Sequence, residues 1–560
     1  MEYAQRAADL EGVPRVRMAE PNRFFEDMER AGGPQNTWVG EMYFSAHRGV
    51  FTSQAAIKKG NRKCEVALRE AELWGALAMA RGVAYPLARM DAAWKTLLFN
   101  QFHDILPGSS IARVYEEARA DHRQVQAEAE AVAADAQRAL LTGEGVTVLN
   151  ALSFMRQGVV ALPDAFAHGA RTAAGAPVPV SGAAGGVLAL VDVPACGGVT
   201  LHPAATPAPL PPCTATLTTE GAVLENALVR VAVNRFGEVT SYVDRRTGRE
   251  FAGGPMNSLR LYKDVPRLFD AWDIDSNYAL QPVPVDGEAT LSLLAPEGLR
   301  AAVHVSRAVG SSRFSQRIVL AAGSARVDFE TEVDWDELHR LLKVRFPVAV
   351  QASEAINEIQ YGYIRRPTHR SRLYDSDRFE VCQQRYTALA DQGHGAAVLN
   401  DCKYGVSQLG NAVELTLLRA SASPEMRADR GIHTFTYSFL GWEGPFAHSP
   451  VVREAYALNV PLRVAEGGGA PASAFSLDAA NVFIDAVKPA EDGSGDIVLR
   501  LYEAMQSDTR CTLFIGLPVA AVWVCDMLEN SAEALPLDGG HVALHLRAFE
   551  VKTLRLRVAG

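Results

Sequence analysis

The spacing of the apolar residues changes near Gly143, and this change most constrains the fold. Between Thr52 and Leu141, apolar residues recur every three to four positions, as on one face of an α-helix. After Gly143 they alternate every second position in short runs bounded by Gly, Asn and Asp, as in β-strands. A helical region followed by a long β region is therefore predicted.

The helical region predicts three helices. The first is capped by Thr52 or Ser53 and has an apolar stripe formed by Cys64, Ala67, Ala71, Trp74 and Ala78. The second enters through Pro86 and is expected to end at Leu106-Pro107-Gly108. The third starts at Ser109 or Ser110 and has a stripe that includes Tyr115, Ala118, His122, Val125 and Ala129. Short connections between such helices favour an antiparallel bundle.

The β region predicts antiparallel sandwiches. Clear alternating runs span residues 145–150, 186–193, 228–234 and 238–244, and similar runs continue to 551–558. Two packed layers of such strands bury one face of each strand, which is the simplest arrangement for this pattern.

The first residues predict a different layer. A short helix is expected to stop at Glu11-Gly12, followed by a strand at Arg15–Met18 and a helix from Pro21 to Glu29. This alternation is typical of an α/β layer, and Met1 leaves no room for the earlier turns of the first helix. The alternative is a short amphipathic N-terminal arm.

Composition and charge exclude several classes of protein. A net charge of −10 without a cluster of Lys and Arg argues against a nucleic-acid partner, and the pair Lys58-Lys59 is explained by a solvated face. We find neither a long apolar run nor a signal core, so no membrane association is expected. The seven cysteines lack CxxC spacing, which disfavours disulfides and indicates a reducing, cytoplasmic environment.

Residues 100–111, NQFHDILPGSSI, place His103 beside Asp104 between two predicted helices. Such a turn opens a concavity in which His103 could bind a metal ion and Asp104 could accept a substrate hydroxyl. The structural alternative is that His103 contacts the last carbonyls of its helix while Asp104 caps the next helix. One His and one Asp do not make a metal site, which needs three or four ligands.

A second polar and aromatic stretch covers residues 38–62. Side chains such as Trp38, Glu41, His47 and Arg48 suit a sugar site, because rings stack on pyranose faces while charged groups bind hydroxyls. They suit an interdomain seam equally well, since aromatic side chains pack there and keep a polar handle. The residues by themselves leave both interpretations open.

These motifs resemble those of glycoside hydrolase family 38, the class II α-mannosidases, in its bacterial and cytosolic branch. NQFHDILPGSSI looks like the family signature, and residues 38–65 resemble the segment that leads from the catalytic barrel into the helical bundle. The resemblance continues in order at VLNALSF (148–154), LENALVRVAVNRFGEVTSYVDRRTGRE (224–250), LYKDVPRLFDAWDID (261–275), LNDCKYG (399–405), ADRGIHTFTYSF (428–439) and RAFEVKTLRLRV (547–558).

The resemblance implies a retaining, zinc-assisted α-mannosidase. Retention uses a nucleophile and a general acid/base, two carboxylates about 5 Å apart, and zinc binds the sugar's hydroxyls. By the same resemblance His103 is a zinc ligand and Asp104 contacts substrate. The implied partner is an α-mannoside or a mannosylated glycan.

The predicted fold class is multidomain α+β. We expect a remnant of an α/β barrel in residues 1–44, a three-helix bundle in 45–142, a large antiparallel β-sandwich in 143–460 and a terminal β-sandwich in 461–560.

The catalytic carboxylates of the family precede the bundle by hundreds of residues, whereas only 37 residues precede Trp38 here. No catalytic residue is therefore assigned, and the context of Asp244, Asp275 and Asp429 gives no reason to promote them. The chain is expected to be an incomplete α-mannosidase, with its barrel missing or separately encoded. The alternatives are a non-catalytic carbohydrate-binding or accessory protein and a purely structural scaffold.

Overall fold

The computed structural model describes residues 1–38, 41–42, 46–183, 186–295 and 297–559. Two compact units are formed, by residues 1–46 and 47–560. The α-helices of the described residues are α1 (Glu2–Arg6), α2 (Pro21–Arg30), α3 (Ala55–Met79), α4 (Leu87–Phe99), α5 (Ala112–Leu140) and α6 (Val451–Asn459). Among these described helices, none has the length and apolar content needed to cross a membrane.

The first unit contains α1, α2 and an extended segment between them. Neither helix buries a residue, and the rings of Phe24 and Phe25 are 54% and 64% exposed. The strand predicted at Arg15–Met18 is wrong, because these residues take no strand pairing with the described part of the chain. Their charged side chains bond locally instead, as Arg17 does with Asp27 at 2.5 Å.

Helices α3, α4 and α5 form the predicted bundle. The predicted stripe of α3 is buried throughout, and Trp74 at its centre is fully enclosed. Helix α4 packs on α3 partly through the indole N–H of Trp94, which donates to the Glu72 carboxylate at 2.8 Å. Helix α5 lies along α3 with the ring of His122 against Gly60, where a Cβ would come within 2.4 Å of the ring.

The cap predicted for α3 is wrong, because neither Thr52 nor Ser53 caps it. The N–H groups of Gln54 and Ala55 donate instead to the carboxylate of Asp429, each at 2.7 Å. A carboxylate satisfies the free N–H groups of a helix N-terminus and is favoured by the helix dipole. The first turn of α3 is therefore anchored on the β region.

The β-strands up to the first crossover are β1 (Gly143–Asn150), β2 (Arg156–Leu162), β3 (Ala170–Thr172), β4 (Pro177–Val178), β5 (Val180–Ala183), β6 (Gly186–Val193) and β7 (Gly197–Pro203). The central strands are β8 (Cys213–Thr218), β9 (Gly221–Asn226), β10 (Val229–Asn234), β11 (Val239–Asp244), β12 (Ser258–Lys263), β13 (Pro282–Val283), β14 (Thr290–Ala295), β15 (Arg300–Val309), β16 (Ser312–Ala321), β17 (Val327–Trp335), β18 (Arg340–Pro347), β19 (Glu354–Ile359), β20 (Gly362–Pro367), β21 (Val381–Cys382), β22 (Tyr386–Ala390), β23 (His394–Asn400), β24 (Gly405–Leu409), β25 (Ala412–Arg419) and β26 (Gly431–Glu443). The last strands are β27 (Arg463–Gly468), β28 (Phe475–Leu477), β29 (Val482–Pro489), β30 (Ile497–Glu503), β31 (Thr509–Ile515), β32 (Val519–Cys525), β33 (Ser531–Leu535), β34 (His541–Leu546) and β35 (Val551–Val558).

The strands pair antiparallel in three groups of sheets. The first group has the orders β27-β1-β7-β3-β4 and β2-β6-β5, so the late strand β27 closes the sheet that β1 begins, with Val464 opposite Val148. The central group has the orders β11-β10-β9-β8, β13-β12-β18-β25-β24-β21 and β14-β15-β16-β17-β26-β23-β22-β19-β20. The terminal group has the orders β28-β31-β34 and β29-β30-β35-β32-β33.

Aromatic rings join the two large central sheets. Phe346 of β18 lies 5.8 Å from both Phe329 of β17 and Phe439 of β26, measured between ring centroids. The bundle shares one apolar core with strands of the β region, and Arg69 of α3 donates to the Asp485 carbonyl at 2.6 Å. The predicted fold class, a helical bundle with large antiparallel β-sandwiches, is confirmed.

Candidate active-site loop

The loop 100–111 connects α4 to α5. The prediction that the second helix continues to Leu106 is wrong, because α4 ends at Phe99 and turns follow. The amides of Asn100 and Gln101 explain the early end, since both bond to other helices. Asn100 donates to the Asp121 carboxylate and Gln101 to the Asn61 side-chain oxygen, each at 2.9 Å. The polar start of the motif therefore fixes the loop to α3 and α5.

The far side of the loop is held by a buried lysine. The Lys58 ammonium donates to the carbonyls of Leu106 and Pro107 at 2.7 and 3.0 Å, and also to the Ser53 carbonyl. Lys58 is 5% exposed, so the interpretation of Lys58-Lys59 as a solvated face is wrong for this residue. Burial lowers the pKa of Lys58 to about 7. Sequence reasoning missed this residue, since its partners are backbone carbonyls that carry no local signal.

Gly108 and Arg419 complete the support of the loop. Gly108 has φ +92°, and a Cβ there would lie 2.4 Å from the Ser53 carbonyl oxygen, so this approach requires glycine. Ser53 is itself fixed by the fully buried Arg419, whose guanidinium donates to the Ser53 hydroxyl at 2.9 Å and pairs with Asp264 at 2.7 Å. The loop thus rests on Ser53, which Arg419 at the end of β25 connects to the β region.

His103 and Asp104 project from this supported loop. The Nε2 of His103 lies 3.4 Å from Oδ2 of Asp104, and their side chains are 74% and 41% exposed. The other Asp104 oxygen accepts from the Ser109 hydroxyl at 2.8 Å, and the hydroxyl of the buried Tyr115 donates to the Asp104 carbonyl at 3.1 Å. Asp104 therefore has a fixed backbone and one oriented carboxylate oxygen, while the His103 ring faces solvent beside Phe102, 4.1 Å between centroids.

The alternative structural roles of the two residues are not what the structure shows. Helix α4 ends before His103, and the N-cap position of α5 is Ile111 without a side-chain cap. An exposed imidazole next to a carboxylate offers two of the donor types that zinc accepts. Within the described ranges, however, no group of three or more His, Cys, Asp or Glu side chains could hold a metal ion. These residues alone therefore do not fit a zinc ion.

The stretch 38–62 divides into two parts. Val39, Gly40, Tyr43 and Phe44 of the aromatic segment lie outside the described residues, while Trp38 donates to the Glu41 carbonyl at 3.1 Å. The second part forms a seam, where the guanidinium of Arg62 bonds to the Tyr404 hydroxyl at 2.9 Å and to Asn459 at 3.1 Å. The contacts of the α3 residues in this stretch are those of an interdomain seam, one of the two interpretations given above.

The three other carboxylates considered from the sequence have structural partners. Asp429 caps α3, and Asp275 accepts from the N–H of Arg267 at 3.0 Å. Asp244 is buried in a turn, where hydrogen bonds from Arg246 lower its pKa. Each of the three carboxylates therefore has a structural role.

Three family models match the chain along its length. The "Alpha mannosidase middle domain" matches residues 45–140, the "Glycosyl hydrolases family 38 C-terminal domain" residues 224–427, and the "Glycosyl hydrolases family 38 C-terminal beta sandwich domain" residues 481–554. The loop with His103 and Asp104 lies within the first match. The chain belongs to glycosyl hydrolase family 38.

Curated relatives agree with this assignment. The chain is 38% identical to human alpha-mannosidase 2C1, covering 99% of this chain and 54% of the relative, and 29% identical to alpha-mannosidase G of Dictyostelium discoideum, covering 98% and 55%. The chain therefore spans about half the length of the curated relatives it matches. A crystal structure of an alpha-mannosidase from Enterococcus faecalis V583 superposes with a TM-score of 0.80 at 17% identity over 97% of this chain and 72% of that one, which shows a shared fold.

Proposed function

We propose that the chain forms the bundle and sandwich part of a zinc-assisted, retaining α-mannosidase. The observation that carries the proposal is the paired exposure of His103 and Asp104 on a loop held from both sides, inside the residues that match the α-mannosidase middle domain. We retain the predicted domains, residues 1–44, 45–142, 143–460 and 461–560, as part of this proposal.

His103 would supply one imidazole nitrogen to zinc, which when bound supplies charge near the sugar hydroxyls. Asp104 would accept a hydroxyl hydrogen of an α-mannoside or mannosylated glycan, because its Oδ2 carries no bond to the described residues other than the His103 contact. The Ser109 hydroxyl and the Tyr115 hydroxyl keep this carboxylate oriented. The role of these two residues is therefore binding and orientation.

We further propose that the catalytic carboxylates and the remaining zinc ligands lie on polypeptide outside these 560 residues. The described residues hold no third metal ligand near His103, and the chain spans 54% of the human relative. Free cysteines support a reducing, cytoplasmic location, since all seven are thiols and six are buried.

Sequencing of the DNA before the Met1 codon gives the first test. An in-frame or adjacent reading frame that encodes a barrel is expected, with a His-x-Asp motif that would supply two of the remaining zinc ligands, as the family resemblance implies. Co-expression of that segment with this chain should give turnover of an aryl α-mannoside, which His103→Ala should lower by more than about 100-fold and Asp104→Asn by about 10- to 100-fold.

The exposed His168 provides the matched control, and His168→Ala should leave turnover unchanged. The 560-residue chain alone should show neither appreciable turnover nor more than weak zinc binding by calorimetry. Turnover by this chain alone that His103→Ala abolishes would refute the incomplete site. Turnover by the co-expressed pair that is insensitive to His103→Ala would refute the role of His103.

A further inference from the structure

A cavity of about 260 Å³ lies between the bundle and the β region, on the side of α3 away from the 100–111 loop. Its walls come from α3, α5, the segment around Lys403 and the start of β26. Seven of its fifteen lining residues are cationic or histidine, namely Lys59, Lys63, Arg119, His122, Arg123, Lys403 and His433, and apolar residues such as Ile432 and Phe435 line the rest in part. Among the described residues that line it there is no Asp or Glu.

The spacing of these cations is unfavourable without a counter-charge. Lys59 and Lys63 are four residues apart on α3, and Arg119 and Arg123 are four residues apart on α5. Like charges at this spacing destabilise a helix, because the side chains lie on the same face. The two pairs line the same cavity, which adds repulsion between the helices.

Nearby carboxylates neutralise only part of the positive charge of the lining. Asp401 is engaged by Lys63 at 3.1 Å, and Asp429 accepts from the first backbone N–H groups of α3. Arg119 and Arg123 have no hydrogen bond or ion pair with the described part of the chain, although Arg119 is half-buried. Two guanidinium groups therefore remain available on one wall of the cavity.

A buried histidine adds a second, independent sign of a missing partner. His122 is 5% exposed, and neither ring nitrogen has a hydrogen-bond partner among the described residues. A buried polar group without a partner is costly. Burial also lowers the pKa of His122, although the neighbouring Asp121 carboxylate acts in the opposite direction.

We infer that this cavity binds a small oxyanion, a phosphate or phosphate monoester, held by Arg119, Arg123 and Lys59. Guanidinium groups bind such oxyanions through paired, charge-assisted hydrogen bonds. The Lys59 ammonium donates to the Thr434 carbonyl and hydroxyl, each at 2.6 Å, and keeps its third N–H for the anion. The negative charge would also stabilise His122 in its wall. The cavity volume equals that of roughly nine water molecules, so a pendant group can accompany the phosphate.

Calorimetric titration of the 560-residue chain with inorganic phosphate, at ionic strength fixed with sodium chloride, tests the inference. Saturable binding is expected, and the double variant Arg119→Gln/Arg123→Gln should weaken it about tenfold or more. The matched control is Arg113→Gln/Arg138→Gln, which removes two exposed arginines from the same helix. This control should keep the affinity of the unmodified chain.

A response that chloride reproduces at the same ionic strength would overturn the inference, as would an equal loss of affinity in both double variants. Far-UV circular dichroism checks that both variants stay folded. A hexose 6-phosphate added in a parallel titration distinguishes the source of the anion. If the hexose 6-phosphate binds more tightly than inorganic phosphate, the ligand is a phosphorylated sugar. If it binds equally or more weakly, the ligand is the free oxyanion. Because no activity is measured, the result is independent of the proposed mannosidase function.

Discussion

Replacing Glu72 by Gln should stabilise the bundle at neutral and alkaline pH but not in acid. Glu72 lies on α3 with 9% of its surface exposed, and one carboxylate oxygen accepts from the Trp94 indole N–H at 2.8 Å. Burial raises its pKa from 4.5 to about 7, although the Trp94 hydrogen bond acts in the opposite direction. Gln keeps the shape and the acceptor oxygen, but it carries no charge to bury.

The direction of the pH effect follows from the raised pKa. The folded state binds the Glu72 proton more tightly than the unfolded state, so the carboxyl favours folding most below pH 4.5. This contribution is lost as the pH rises from 4.5 through about 7. A pKa difference of about 2.5 units corresponds to about 3 kcal/mol at most. The Gln variant should therefore gain up to about 3 kcal/mol over the unmodified chain above pH 7.

Differential scanning calorimetry at pH 5, 6, 7 and 8 measures the effect. The Tm of the transition that includes the bundle should be nearly equal for both chains at pH 5 and roughly 5 °C or more higher for Glu72→Gln at pH 8. Glu130→Gln, which removes an exposed carboxylate from α5, should leave the pH profile unchanged. A Tm difference that does not vary with pH would refute the reasoning.

Two further predictions concern the anchors of the bundle. Lys58→Met should lower the free energy of unfolding by about 2–4 kcal/mol and speed hydrogen exchange of residues 104–108, because the Leu106 and Pro107 carbonyls lose their donor. Lys95→Met, which replaces an exposed lysine of α4, is the control. Unchanged exchange in the loop of the Lys58→Met variant would contradict the prediction. Asp429→Ala should destabilise the first turn of α3 by about 1–2 kcal/mol, measured by exchange of the Gln54 and Ala55 amides. Asp429→Asn should recover part of this loss, and equal exchange in both variants would argue against the cap.

The elements that were predicted correctly are those whose partners follow from local spacing. The stripe of α3 and the strands at 186–193 and 229–234 lie where the apolar period places them, since a repeating buried face fixes both element type and orientation. The candidate pair His103 and Asp104 was found because a motif marks it. Its exposure on a supported loop is consistent with a binding role, although that role stays a prediction.

The wrong predictions of the helix end and of the N-terminal strand share a physical cause. The second helix stops at Phe99 because Asn100 and Gln101 bond to α5 and α3. The predicted end depended on Pro107 and Gly108, which lie further along the chain and do not indicate these contacts. The strand expected at Arg15–Met18 has no neighbour among residues 1–38. A strand is stable only when another segment accepts its hydrogen bonds, and the sequence of the strand does not state which segment does so.

Sequence alone therefore determined the order of helices and strands, the family and the motif that carries the candidate site. Tertiary structure decided which distant groups complete each feature. Asp429 caps a helix 375 residues earlier in the chain, and β27 closes the sheet that β1 begins. It also placed Lys58 under the candidate loop and left the His122 ring, beside Arg119 and Arg123, without a hydrogen-bond partner among the residues that the structure describes. The apolar period and the secondary-structure propensity of residues act over one or two turns of chain. Burial and hydrogen-bond satisfaction depend instead on which distant residues the complete fold brings into contact.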